Sequence, residues 1–151
     1  MYTRQQASLI RQQFWTRFGQ YMKPLPGSSC EPVNWLNYKT GIKDIYFKMD
    51  ADDKAAMIST ELHHPDTDER SFYFEKFRET RNIFSGIMGQ DWTWELHHTN
   101  TTGKVVSRVV TTLPGVSIFR EGDWPAIISF LKPRIMALDE YWDLVKDGIE
   151  G

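Results

Sequence analysis

Between residues 3 and 22 the apolar side chains Ile10, Phe14, Phe18 and Met22 recur every four positions, with Ala7 and Tyr21 beside them. That spacing puts them on one face of an amphipathic helix. The segment "KPLPGSSCEP" ends the pattern with a loop. Three short runs, "VNWLNYKTG", "IKDIYFKMD" and "KAAMISTELHH", then read as strands. The acidic "DADD" at 50–53 joins the second to the third as an antiparallel hairpin.

Pro65 and Asp66 stop the third strand, and Asp66, Thr67 or Asp68 caps a helix that the pattern carries to Gly86 or Gly89. Its apolar band is Phe74, Phe77, Phe84, Ile87 and Met88, with Arg70, Arg78 and Arg81 alternating with Glu75 and Glu79. "DWTWELHH" and "KVVSRVVTTL" read as a fourth and a fifth strand joined by "TNTTG". At the C-terminus Asp123 caps a helix with Pro125 in its first turn, and Pro133 is expected to divide it into two segments. The second segment carries Ile135, Leu138, Tyr141, Trp142 and Val145 on one side.

These elements predict an α+β fold in one domain, residues 1–151, with about five strands between helical layers. Composition adds the nature of the core: aromatic residues make up 14% of the chain, including six Trp, and large rings need partners for their polar tips. One cysteine, Cys30, leaves no intramolecular disulfide, and the N-terminus lacks the apolar run of a signal peptide. A cytoplasmic location is expected. The longest apolar stretch, "AIISFL", is too short to span a membrane. Net charge is -2, unlike a general polyanion binder. The first 30 residues nevertheless hold Arg4, Arg11, Arg17 and Lys23 and no acid, against 14 basic and 20 acidic residues in the remainder. Arg4, Arg11 and Arg17 are therefore candidates for phosphate contact.

The candidate chemistry lies on the strands. With the hairpin turn centred between Ala51 and Asp52, Asp44 faces Ser59, and Glu61 is its diagonal neighbour. Asp44, Tyr46, Lys48, Ser59, Glu61 and His63 then form a polar face, with Ile45, Phe47, Ala56, Ile58 and Leu62 opposite. Two adjacent carboxylates suit a hard cation such as Mg²⁺, and His63 could position water or act as a base. On that register Lys48 is about 13 Å along the strand from Asp44. The tetrapeptide "ELHH" occurs twice, at 61–64 and 95–98, and holds all four histidines. If the strands bearing the two copies pair in parallel, Glu95 and His97 join Glu61 and His63 as a second candidate metal cluster, suited to zinc. His64 and His98 fall on the apolar parity and are expected at the edge of the core.

The order helix, three strands, helix, strand resembles the αβββαβ core of the PD-(D/E)xK nuclease superfamily, a mixed sheet. That superfamily carries an Asp on its second strand and Glu-x-Lys on its third; this chain has Asp44, Glu61 and, in place of the lysine, His63. The stretches "FWTRFGQYMKP", "NWLNYKTGIKDIYFKMDAD" and "LPGVSIFREGDWPAIISFLKPRIMALDEYW" resemble a bacterial family known as domain of unknown function 4268. The nuclease resemblance implies Mg²⁺-dependent cleavage, active or degenerate, with Asp44, Glu61 and His63 as catalytic residues and nucleic acid as partner. The competing expectation is a non-catalytic protein-interaction or homodimerisation module.

Overall fold

The computed structural model describes residues 2–151. Helix α1 (Arg4–Met22) begins at a capping box, in which Thr3 accepts from the Gln6 amide and Gln6 answers to the Thr3 amide. Four strands follow: β1 (Ile45–Ala51), β2 (Ala55–Leu62), β3 (Thr93–Thr99) and β4 (Val105–Pro114). Helices α2 (Thr67–Glu79) and α3 (Arg81–Met88) connect β2 to β3, and α4 (Trp124–Glu150) closes the chain.

The sheet has the order β1-β2-β4-β3, and each neighbouring pair is antiparallel. This corrects the expectation of a mixed sheet of about five strands. The aromatic run 33–41 forms no strand; it contains a short 3-10 turn, Trp35–Asn37, and otherwise irregular chain. Its rings satisfy themselves elsewhere. The Trp35 indole donates to the Leu25 carbonyl (2.9 Å), and the Tyr38 hydroxyl donates to Asp139 on α4 (2.5 Å). β4 also lies between β2 and β3, so the two copies of "ELHH" sit on strands that are not neighbours.

Two helical expectations change. Thr80 interrupts the helix predicted from 67 onward, because its hydroxyl bonds to the Phe77 carbonyl (2.8 Å) and the Tyr141 hydroxyl (2.7 Å). The break turns Phe84 into contact with Trp92, Trp94 and Tyr141. Conversely, α4 continues through Pro133. An interior proline costs a helix about 3 kcal/mol. Here Phe130 and Leu131 before it and Ile135 and Leu138 after it are all buried, so tertiary packing holds both halves in one helix. The Arg134 guanidinium also donates to the Phe130 carbonyl, 2.9 Å away.

All four helices share one core with a single face of the sheet, where Ile45, Phe47, Ala56, Ile58, Leu62 and Val109 are buried. The expected three layers reduce to two. The opposite face is an open groove of about 690 Å³.

Candidate functional site on the uncovered sheet face

The groove is built by strand parity and register. Asp52 accepts from the Lys54 and Ala55 amides (2.8 and 2.9 Å), which centres the hairpin turn two residues later than the sequence suggested. Ile45 therefore pairs with Leu62 and Ala51 with Ala56. The displacement is even, so every side chain keeps its predicted face while its cross-strand partner changes. Lys48 now stands opposite Ser59, diagonal to Glu61. One row, Tyr46, Glu61, Arg108 and Glu95, runs in register across all four strands. Ser59, Val106 and Val110 are buried beneath these longer side chains, and the two valines lie outside the main core.

Each glutamate of that row is held by neighbours. Glu61 accepts from the Ser59 hydroxyl (2.7 Å) and meets His63 Nε2 at 2.8 Å. Burial works to raise the Glu61 pKa, but the His63 and Ser59 hydrogen bonds, with the charges of His63 and Lys48, outweigh it and hold the carboxyl below its ordinary 4.5. A folded-state pKa below the unfolded one adds stability that is complete above about 4.5 and is lost as pH falls through the folded value. Glu61→Gln is therefore expected to be the less stable protein at neutral pH, with the difference closing in acid. Urea unfolding of both proteins between about pH 7 and about pH 3 reads this directly; a pH-independent gap would remove Glu61 as the titrating group.

On the far side of the groove Glu95 accepts from Arg108 Nε at 3.0 Å and lies 3.7 Å from His98 Nδ1. His98 reaches this face because β3 carries a bulge between Glu95 and His98, which shifts the alternation by one residue. The expected pairing of Glu95 with His97 is thus replaced by Glu95 with His98. His97 is diverted to the end of the sheet, beside Arg70 and Lys104.

Asp44 takes no place in the groove wall. It adopts a left-handed backbone (φ 68) just before β1 begins, outside the pleat that would aim it beside Glu61. Its carbonyl accepts from the His63 amide (2.7 Å), and its charge acts on His64. His64 itself is buried and stacks on Tyr73, with ring centroids 4.6 Å apart. Burial lowers its pKa most, Arg70 and His63 add to the lowering, and the charges of Asp44 and Glu69 oppose it.

Among the described residues no three His, Cys, Asp or Glu side chains come together to hold a metal ion. Asp44 does not line the groove, and Glu61 is engaged by Ser59 and His63, so the two carboxylates expected to share a Mg²⁺ do not both line it. Of the phosphate-contact candidates, Arg11 donates to the Ala51 carbonyl (2.8 Å) and Arg17 pairs with Glu121 (3.4 Å), while Arg4 is exposed. Sequence reasoning missed Arg108. Its signal was available in "VVSRVV", a lone cation inside an otherwise apolar and hydroxylic strand.

The model of a family described as Domain of unknown function (DUF4268) matches residues 10–146. The chain belongs to that family. No curated protein and no solved structure matches it. Among the described residues no helix is long and apolar enough to cross a membrane.

Proposed function

We propose that this member of the DUF4268 family is a non-catalytic binding module that receives a polar segment of a protein partner along the uncovered face of its sheet. The observation that carries the reading is the groove itself. A sheet face with no helix over it keeps Tyr46 42% exposed while its glutamates are fixed by hydrogen bonds beneath. Fixed donors and acceptors around an open cleft lower the ordering cost of binding.

The charge of the wall favours a peptide over nucleic acid. Lys48 and Arg108 are offset there by Asp50, Asp52 and Glu61, which a polyanion would meet head on. A peptide brings both amide donors and carbonyl acceptors, and Tyr46 offers a ring of the kind enriched in protein interfaces.

The test places a photo-crosslinking amino acid at Tyr46 of the full chain in its native cell. A discrete protein adduct that disappears on Arg108→Ala supports the reading. Adducts to nucleic acid, or only to a second copy of the chain, overturn it. So does calorimetric Mg²⁺ or Mn²⁺ binding that is lost in Asp44→Ala, which would restore the metal-dependent nuclease reading.

A further inference from the structure

A second cleft lies where β2 ends and where β3 turns into β4. It has a volume of about 550 Å³ and is lined by Pro65, Thr67, Arg70, His97, Lys104 and Val105. Arg70 and Lys104 are cations, His97 adds the ring nitrogens of an imidazole, and the lining contains no carboxylate. Arg70 decides what this means. It is 4% exposed, its Nη1 donates to the His64 carbonyl at 3.0 Å, and its buried Nε has no partner among the described residues. A buried donor without an acceptor is costly, and a charged one more so.

The acids nearest in sequence do not serve Arg70. Asp66 accepts from the Asp68 and Glu69 amides in the first turn of α2, and Glu69 reaches toward His64 Nε2 at 4.0 Å. The Asp68 and Glu69 amides are thereby used, so an anion in the cleft would be held mainly by side chains. The bulge in β3 is what directs His97 here, and the turn at 100–104 brings Lys104 in from the other side. Asn100 shapes that turn, accepting from the Thr102 and Lys104 amides (both 3.0 Å).

We propose that this cleft binds a phosphate group, with Arg70 as the buried anchor, His97 and Lys104 closing over it from the exposed side, and the Thr67 hydroxyl as a further donor. The planar fork of a guanidinium matches phosphate oxygens, and an ammonium adds an adaptable point charge. The site is separate from the groove and does not depend on the protein-binding reading of it. The two copies of "ELHH" thereby divide their work: His63 and His98 face the groove, while the His64 carbonyl and the His97 side chain serve the cleft.

Calorimetric titration with inorganic phosphate and, separately, with glycerol 3-phosphate, at fixed ionic strength with chloride as reference, tests this. Wild type is expected to bind one equivalent saturably. The His97→Ala/Lys104→Ala double variant alters exposed positions and keeps the fold, and is expected to bind about tenfold or more weakly. Arg70→Lys retains the charge without the fork and should also bind more weakly, while Leu144→Ala, at an exposed position of α4 that lines neither the groove nor the cleft, should bind as wild type does. Tighter binding of the ester assigns the site to a phosphoryl group on a larger molecule, and equal or tighter binding of the free ion to inorganic phosphate. Absence of saturable binding to wild type, or unchanged affinity in the double variant, overturns the proposal.

Discussion

Trp142→Ala is expected to lower the free energy of unfolding by about 4 kcal/mol, the largest single loss foreseen for this chain. Burial, ring contacts and a hydrogen bond set that size. The ring is 2% exposed; it stacks on Phe77 (centroids 5.9 Å apart, planes 13°) and meets Phe47 edge-on at 5.5 Å. Its indole N–H also donates to the Thr40 carbonyl (2.8 Å), while the Thr40 hydroxyl donates to the Ile45 carbonyl at the start of β1 (2.8 Å). Truncation therefore opens a cavity between α2, α4 and the sheet, and leaves a carbonyl near the entry to β1 without its donor. Trp142→Phe separates the two parts. It refills much of the space but cannot donate, so its loss should be smaller, about 1–2 kcal/mol. Urea unfolding followed by circular dichroism measures both; a Trp142→Ala loss under about 1 kcal/mol would mean that the α4 face does not anchor β1.

That anchoring explains what the sequence could and could not reveal about the fold. The four-residue spacing of Ile10, Phe14, Phe18 and Met22 depends only on helix geometry, and the last three of these residues are buried as the pattern requires. The face assignment of β1 and β2 survived a wrong register because the two-residue displacement of the turn preserves parity. Trp35 and Tyr38 gave a misleading strand signal. Aromatic enrichment marks burial: Trp35 is buried with its indole bonded to Leu25, and the half-buried Tyr38 is bonded to Asp139 on α4, a partner that no local window contains. The place of β4 between β2 and β3 was equally hidden. Element order limits which strands are joined, while lateral position in the sheet depends on the total packing of α2, α3 and α4 on the other side.

The candidate site was legible to the same extent. Tyr46, Lys48, Ser59, Glu61 and His63 were placed on the polar face from alternation alone, and they line or border the groove. The histidine of the second "ELHH" was misassigned because one extra residue in a bulge exchanges His97 for His98, and a bulge leaves no mark in residue types. Asp44 was misplaced for a related reason. Strand alternation was extended one residue too far, into a position whose left-handed backbone lies outside the strand. Arg108 stands alone in "VVSRVV", without the paired spacing of the carboxylates and histidines, although the cation bonded to Glu95 and opposite Glu61 ties the two halves of the groove together.

The second large effect is expected at Asp139, a carboxylate 4% exposed on the buried side of α4. Its Oδ1 accepts from the Tyr38 hydroxyl (2.5 Å) and its Oδ2 from the Ser28 amide (2.7 Å). Gly27 must approach so closely that a Cβ there would lie 2.6 Å from Val33 Cγ2 and 3.1 Å from Asp139 Oδ2. One side chain thus fastens two points of the irregular chain between α1 and β1. Asp139→Ala leaves both donors without their acceptor and is expected to cost about 3 kcal/mol, with Asp139→Asn costing less because one acceptor oxygen remains. Burial, then the hydrogen bond and charge of Asp139 and the charge of Asp143, raise the Tyr38 pKa above its ordinary 10. A folded pKa above the unfolded one contributes stability that is full below about 10 and falls as pH rises beyond it. Asp139→Ala should therefore flatten the alkaline decline as well as lower the neutral value, and Tyr38→Phe should flatten it too. Hydrogen exchange at the Ser28 amide supplies the local reading: rapid exchange in Asp139→Ala with β2 still protected would show the loop released from an intact sheet. Unchanged protection at Ser28 would show that the loop is held by Trp35 and its bond to Leu25 instead.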